Sequence, residues 1–163
     1  MPVVLNVSRK FAATDATSEL LNSLNSKPWV WIFISEPEVE GTYNTEFKFN
    51  DYIKTLPCLS TKFWDVTSTQ YVDVLIDGKF QQYKAEVVTD EQIQEIYQFI
   101  KDNEGKNFIV SCLAGKCRSG AIAQFLEKYY NCNWPKPWKS KAIPNHLVYN
   151  KLVEIWQQDL YLN

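Results

Sequence analysis

One stretch decides the fold: residues Asn107 to Tyr130, which read NFIVSCLAGKCRSGAIAQFLEKYY. Residues 107–111 are an apolar run of strand length, and residues 121–130 have the composition of a helix. The short loop between them contains a thiol at Cys112, Gly115 and a guanidinium at Arg118. Such a loop presents unpaired backbone N–H groups and the positive end of a helix dipole to an anion. The same field favours a thiolate, so the stretch predicts an anion-binding loop with Cys112 as its nucleophile.

This loop resembles the signature loop of the protein tyrosine phosphatase superfamily of cysteine phosphatases, because Cys112 is followed by five residues and then by Arg118, Ser119 and Gly120. The resemblance implies that the cysteine attacks phosphorus, that the arginine grips two phosphate oxygens, and that the serine helps the thiolate leave. It also implies that the loop residues bind the phosphate: Leu113, Ala114, Gly115, Lys116, Cys117 and Arg118. One position departs from the family's pattern, since Ser111 stands where the family usually has a histidine that helps hold the thiolate and the loop.

Asp65 is the candidate general acid, which would protonate the leaving oxygen after the cysteine attacks. The run Phe63-Trp64-Asp65 resembles the family's acid loop, in which an aromatic residue, one further residue and an aspartate follow a strand. The gap from Asp65 to Cys112 is 47 residues, longer than is usual in the family. A β-hairpin predicted over residues 71–84 explains the excess as an insertion. A surface or helix-capping role for Asp65 stays open, with Asp73 and Asp77 as rival acids inside the hairpin.

Apolar runs alternate with helical patterns along the rest of the chain. Residues 29–35 are a nearly continuous apolar run, typical of a strand buried on both faces of a parallel sheet, and a loop follows over residues 36–41. A third strand is predicted over residues 58–66. Asp77-Gly78 between two strand-like arms predicts the hairpin, and a capping box at residues 89–92 begins a helix that continues to about residue 103.

The sequence therefore predicts an α/β fold, in which a central, mostly parallel sheet is flanked by helices. The resemblance implies that the fold is cysteine-phosphatase-like, with an inserted β-hairpin. We expect a single phosphatase-like domain over residues 1–163. Because right-handed crossovers place the carboxyl ends of parallel strands at one edge, the segments Ser8-Arg9 and Ser35-Glu36 should lie near Asp65 and Cys112.

Composition excludes several classes of protein. The chain has 163 residues, of which 45% are apolar and 22% charged, with a net charge of −2, so no basic surface suggests a nucleic-acid partner. No apolar run is long enough for a membrane span, and no basic-then-apolar signal peptide begins the sequence, which predicts a cytoplasmic protein with reduced thiols. The four cysteines lack paired short spacing and His146 is the single histidine, so no metal or cofactor is expected.

The function that these residues favour is hydrolysis of phosphate monoesters through a phosphocysteine, with phosphotyrosine proteins as the default substrate and phosphoserine or phosphothreonine as further ones. The main alternative is a weak or inactive phosphate-binding pseudophosphatase, which Ser111 and the uncertain acid keep open. The five-residue spacing between Cys112 and Arg118 disfavours a rhodanese-type sulfurtransferase. Low-molecular-weight phosphatases place their loop near the N-terminus, so a loop at residue 112 disfavours them too.

Three further residues have two readings each. Lys116 in an Ala-Gly-Lys loop resembles family members that act on phosphoinositides, but an exposed lysine is as good an explanation, and RNA 5′-triphosphate is a further substrate to test. Cys117 is either an oxidation partner of Cys112 or a small buried filler. Arg9, together with Pro144-Asn145, resembles positions in a bacterial and phage branch of the family, and it either assists substrate binding or is a surface charge.

Overall fold

The structure is a computed structural model that describes residues 1–37 and 49–162. The described strands are β1 (Val4–Ser8), β2 (Trp29–Ser35), β3 (Cys58–Lys62), β4 (Gln70–Ile76), β5 (Lys79–Ala85) and β6 (Asn107–Cys112). The described helices are α1 (Arg9–Ala12), α2 (Ala16–Leu24), α3 (Asp51–Lys54), α4 (Asp90–Asp102), α5 (Arg118–Tyr129), α6 (Lys136–Lys139) and α7 (His146–Leu162). Residues 38–41 of the predicted loop, and the stretch 42–48 that the sequence left unassigned, lie outside the described residues.

Four strands form one sheet in the order β1-β6-β2-β3, and all neighbouring pairs are parallel. β6 is buried at every position, as expected for a central strand that helices cover on both faces. It lies between β1 and β2, with Val4 beside Phe108 and Trp29 beside Asn107. The predicted α/β fold, with a mostly parallel sheet flanked by helices, is therefore confirmed.

Side chains of β6 alternate between two cores, because successive strand residues point to opposite faces of the sheet. Phe108 and Val110 pack against α4, α5 and α7, whereas Ile109 packs on the other face against α1, α2 and α3. Burying a large apolar side chain contributes about 1.5–3 kcal/mol. The strand that ends at Cys112 is thus held from both faces, which fixes the position of the loop that follows it.

The predicted hairpin is present as a separate two-stranded antiparallel sheet of β4 and β5. Its turn residues Asp77 and Gly78 have φ values of 49° and 76°, the positive values that a two-residue hairpin turn of type I′ requires. Asp tolerates this conformation better than most residues, and Gly adopts it without steric cost. The pairing extends one residue further at each outer end than predicted, from Gln70 beside Ala85 to Ile76 beside Lys79.

Three elements differ from the sequence prediction. β3 ends at Lys62 rather than near residue 66, because the Phe63 side chain turns into the core and its carbonyl accepts a hydrogen bond from Arg118. α1 was not predicted; the Ser8 hydroxyl accepts a hydrogen bond from the N–H of Phe11 at 3.0 Å and begins this short helix. The connector predicted over residues 133–141 contains α6, which starts directly after a proline.

The ends of the two helices beside the site are capped by side chains. The capping box predicted for α4 is confirmed, since Thr89 and Gln92 each accept a hydrogen bond from the other's backbone N–H. Asn145 precedes α7 and accepts hydrogen bonds from the N–H groups of Leu147 and Val148. Within the described residues, no helix combines the length and the hydropathy needed to span a membrane.

Candidate active site

The carboxyl ends of the parallel strands meet at one edge of the sheet, as the sequence predicted. Ser8 at the end of β1 lies beside Cys112 at the end of β6. The residues that follow the strand ends then converge: Arg118 donates hydrogen bonds to the Phe63 carbonyl and to Glu36. The edge therefore gathers the Cys112 thiol, the Arg118 guanidinium and the groups that hold them from four separate stretches of the chain.

The loop from Cys112 to Arg118 is shaped by its contact with β1. Gly115 has a φ of 69°, and a Cβ atom there would lie 2.4 Å from the Ser8 nitrogen and 2.4 Å from the Val7 carbonyl carbon. No side chain fits at that distance from rigid backbone. The Asn6 amide nitrogen donates a hydrogen bond of 2.8 Å to the Gly115 carbonyl, which holds the loop against the strand. Glycine is thus required both for the conformation and for the close approach.

Cys112 lies at the bottom of the loop and is 2% exposed. Its sulfur is 3.1 Å from the hydroxyl oxygen of Ser119, within hydrogen-bond distance. Ser119 is in the first turn of α5, whose N-terminus has no side-chain cap. The first N–H groups of that helix are therefore open to an anion, and the helix dipole adds positive potential near the sulfur.

Arg118 is a buried guanidinium with a fixed orientation. One terminal nitrogen donates to the Phe63 carbonyl at 2.8 Å, and the other donates to Glu36 at 2.8 Å. Its Nε atom is buried and, within the described part of the chain, has no hydrogen-bond partner. A buried donor without a partner is costly, so this atom is suited to an acceptor that arrives with a ligand. The two fixed contacts thus leave the Nε edge of the guanidinium for an oxyanion.

Glu36 holds two arginines at once, because its second oxygen accepts a 2.8 Å hydrogen bond from Arg9. Burial alone would raise the pKa of Glu36, but the hydrogen bonds and charges of Arg118 and Arg9 outweigh it and lower the pKa. The group is therefore a carboxylate at neutral pH. Arg9 is buried, so its alternative as a surface charge is wrong; it supports Glu36 in this cluster.

Asp65 lies on the loop after β3 and faces the same pocket as Cys112. One of its oxygens accepts a 2.9 Å hydrogen bond from the Asn145 side chain, which also caps α7. Burial, followed by the neighbouring Asp65 carboxylate, raises the pKa of the Cys117 thiol to about 11. Cys117 therefore stays protonated at neutral pH and differs from a nucleophilic thiol.

The pocket at this edge has a volume of about 320 Å³. Residues predicted for the site that line it are Asp65, Cys112, Leu113, Ala114, Cys117 and Arg118, and they are joined by Glu36, Trp64, Val66, Gln70 and Val72. Gly115 and Lys116 instead line a neighbouring pocket on the β1 side of the loop, with Trp138 and Lys141. Among the described lining residues the carboxylates are Glu36 and Asp65, so neither rival acid of the hairpin reaches the thiol.

Ser111 serves the sheet rather than the pocket. It is fully buried, and its hydroxyl accepts a 2.9 Å hydrogen bond from the indole N–H of Trp31 on the neighbouring strand. Because strand residues alternate, Ser111 and Cys112 point to opposite faces of the sheet. The Ser111 hydroxyl thus anchors β6 to β2 one residue before Cys112.

Sequence reasoning missed the roles of Glu36, Asn145 and Asn6. Each lies in or next to a motif that was noticed, but its partner is far away in sequence: Glu36 binds residues 27 and 82 positions away, and Asn6 binds a carbonyl 109 positions away. The available signal was positional, since Glu36 directly follows a strand at the edge where Cys112 was expected. A half-buried carboxylate at that edge is stabilised by a cationic partner.

The arrangement places a thiol, a hydroxyl, an oriented guanidinium and a carboxylate around one small pocket at a helix N-terminus. It is suited to binding a tetrahedral oxyanion and to attacking its central atom. These features come from the chain itself. No protein-family model, curated protein or solved structure matches the sequence or the structure.

Proposed function

We propose that this protein is a cysteine-dependent phosphatase that hydrolyses phosphate monoesters, with phosphotyrosine in proteins as the main substrate and phosphoserine or phosphothreonine as further ones. One observation carries the proposal: Cys112 and Arg118 line the same pocket from the two ends of one loop, and the guanidinium keeps a buried Nε atom without a partner in the described chain. The loop also resembles the signature loop of the cysteine phosphatases, which supports the same reaction.

In the first step the Cys112 thiolate attacks phosphorus, a sulfur–phosphorus bond forms, and the bond from phosphorus to the ester oxygen breaks. The leaving oxygen takes a proton from the Asp65 carboxylic acid, which faces the same pocket. Arg118 and the first N–H groups of α5 stabilise the charge on the phosphoryl oxygens. The products are an alcohol or phenol and a phosphocysteine.

In the second step the Asp65 carboxylate accepts a proton from a water molecule as its oxygen attacks the phosphocysteine. The sulfur–phosphorus bond breaks, inorganic phosphate forms, and Cys112 leaves as a thiolate. The Ser119 hydroxyl, 3.1 Å from the sulfur, donates a hydrogen bond to that thiolate and makes it a better leaving group. The step regenerates the enzyme and needs no metal or cofactor.

Glu36 keeps the cradle competent for this chemistry. Without it, two buried guanidinium groups would repel each other and Arg118 would lose one of its two fixed contacts. With it, the cluster of two arginines and one carboxylate has a net charge of one positive unit. That charge attracts a phosphate dianion while the orientation of the guanidinium is already set.

The test is turnover of p-nitrophenyl phosphate and of phosphotyrosine peptides by the native chain and by Cys112→Ser. We expect the variant to lose all measurable activity, because an alcohol cannot replace the thiolate. Cys58→Ser is the matched control, since that thiol is exposed and lies at the start of β3, at the far end from the site. Full activity of Cys112→Ser would refute the mechanism. Phosphopeptide binding by the native chain without turnover would instead favour the pseudophosphatase.

A further inference from the structure

The hairpin strand β4 leads directly out of the catalytic pocket. Gln70 and Val72, in its first half, line the pocket beside Cys112, whereas the described lining residues include none from β5. Their side chains share one face of the hairpin, because residues two apart in a strand point the same way. That face also contains Ile76 and, on β5, Ala85, both of which are buried. This face is turned towards the body of the protein.

The opposite face of the hairpin is exposed and carries three large apolar side chains beside the polar Asp73, Gln82 and Lys84. Tyr71, Leu75 and Phe80 are 71%, 50% and 74% exposed, and Leu75 lies directly opposite Phe80 in the pairing. Large exposed apolar side chains on one face, of which Leu75 and Phe80 form a cross-strand pair, typically mark a surface that a partner covers. Tyr71 lies between the pocket-lining residues Gln70 and Val72 in sequence but points to the opposite face, so only a ligand that runs along β4 reaches both faces.

β4 also has an open backbone edge. In a hairpin with a two-residue turn, the pair that closes the turn, here Ile76 and Lys79, exchanges both backbone hydrogen bonds, and every second pair repeats this pattern. The alternate residues of β4 therefore point their N–H and C=O groups away from β5: Tyr71, Asp73 and Leu75. Among the described residues no strand pairs with this edge of β4. The edge is able to bind a further strand.

We propose that this edge of β4 binds the polypeptide segment around the phosphorylated residue of a protein substrate, as an added extended strand. The inference rests on the proposed function, because it places the phosphorylated side chain in the Cys112 pocket on the inner face of the hairpin. Substrate residues one, three or five positions from the phosphorylated residue then point to the outer face of the hairpin, beside Tyr71 and Leu75. Substrates would therefore carry apolar residues at the −1, +1 and neighbouring odd positions.

The dimensions favour a polypeptide over a small phosphate ester. A strand of the length of β4, Gln70–Ile76, extends about 20 Å at roughly 3.3 Å per residue. Only a chain with its own backbone N–H and C=O groups fills such an edge, and strand addition of this kind is a common mode of peptide recognition. A small ester would occupy the pocket and leave the edge and the exposed apolar side chains of the outer face uncovered.

The test uses two proline substitutions that differ only in the edge they block. Asp73→Pro removes an outward N–H from the β4 edge, and Gln82→Pro, at the residue directly opposite, removes one from the outer edge of β5. Both are made in the Cys112→Ser background, where a fluorescent 11-residue phosphotyrosine peptide with Leu or Val at odd offsets binds without turnover. Its dissociation constant is measured by fluorescence anisotropy.

We expect Asp73→Pro to weaken binding of this peptide about tenfold, which corresponds to the loss of roughly one hydrogen bond, while Gln82→Pro leaves it unchanged. Replacing the apolar residues of the peptide by serine should weaken binding to the parent protein and to Gln82→Pro alike. If a proline at position 73 prevents folding, Leu75→Ser replaces it and should reduce the preference for the apolar peptide. Folding is checked by circular dichroism.

Failure of the inference and failure of the proposed function give different results. If the chain with Cys112 intact does not hydrolyse p-nitrophenyl phosphate, the proposed function fails, and the binding measurements still report on the edge. Equal binding by Asp73→Pro and Gln82→Pro, with no preference for the apolar peptide, overturns the inference. Concentration-dependent dimers in sedimentation that Asp73→Pro abolishes would also overturn it, because the edge would then pair with a second copy of the chain.

Discussion

Glu36→Gln tests whether the shared carboxylate holds the site together. The substitution keeps the shape of the side chain and one carbonyl acceptor, but it removes the negative charge between Arg9 and Arg118. The side chains of these arginines are only 8% and 5% exposed, so their charges would remain buried with no carboxylate between them. We expect the variant to be less stable and to bind phosphate esters with a misaligned guanidinium.

The size of the effect follows from burial. Removing one partner of a fully buried ion pair costs about 3–5 kcal/mol. Glu36 itself is 27% exposed, so water screens part of its charge, and glutamine keeps one hydrogen bond. We therefore expect the free energy of unfolding to fall by about 2 kcal/mol, which for a chain of this size lowers Tm by about 4–8 °C. Added inorganic phosphate should raise the free energy of unfolding of the variant more than that of the native protein, because the ion supplies the missing negative charge.

Urea unfolding followed by circular dichroism measures the change at pH 7. Glu127→Gln is the matched control, because it breaks an exposed pair with Lys139, whose loss should cost less than about 1 kcal/mol. A Glu36→Gln protein whose unfolding free energy stays within about 0.5 kcal/mol of the native value would refute the reasoning. So would an equal loss in both variants.

The pH dependence gives an independent check. The pKa of Glu36 lies below its ordinary value of 4.5 in the folded protein, because the two arginines outweigh the effect of burial. A group with a lowered folded pKa contributes stability that is fully present above the unfolded pKa and is lost as pH falls through the folded pKa. The difference in stability between the native protein and Glu36→Gln should therefore be constant near neutrality and shrink below about pH 4.5.

Three further outcomes are expected. Gly115→Ala should lower the free energy of unfolding by on the order of 3 kcal/mol and abolish activity, because it adds a clash with backbone to the strain of a positive φ. Gly105→Ala, at a position with open space around it, should lower it by only about 1–2 kcal/mol, and equal effects of the two substitutions would contradict this. Asp65→Asn should reduce kcat about 100-fold or more for phenyl phosphate, with KM little changed. The reduction should be smaller for p-nitrophenyl phosphate, whose leaving group needs less protonation, and equal reductions would count against Asp65 as the acid. Ser111→Ala should lower the unfolding free energy by about 1–3 kcal/mol in urea titrations, because it leaves the buried indole N–H of Trp31 without its acceptor, and an unchanged midpoint would contradict that role.

Local signals in the sequence predicted the fold well. The apolar run of residues 29–35 became β2 with the same bounds, and the Asp77-Gly78 turn gave the hairpin within one residue at each end. These elements are specified by burial and turn chemistry, which neighbouring residues reveal. The convergence of the strand ends followed from the handedness of the crossovers.

The contacts that shape the site were less accessible to sequence reasoning. Glu36 was expected near the site, but nothing near it in sequence shows that it would pair with both Arg9 and Arg118. Asn145 was noticed only for its resemblance to a position in a branch of the phosphatase family, although its amide also reaches Asp65. Side-chain pairs of this kind depend on distances between elements, which are set by packing of the whole domain.

The strand order β1-β6-β2-β3 has a consequence for synthesis on the ribosome. β1 is made first, but its partner in the sheet, β6, follows about a hundred residues later, whereas β2 and β3 pair with each other at short range. Pairings across such long separations slow folding, because the chain loses the entropy of closing a large loop before the contacts between the strands form. The insertion of β6 also brings Gly115 against β1 and completes the loop that we propose as the phosphate cradle. We expect nascent chains that end before β6 to lack any phosphate affinity, so that binding appears together with the closed sheet.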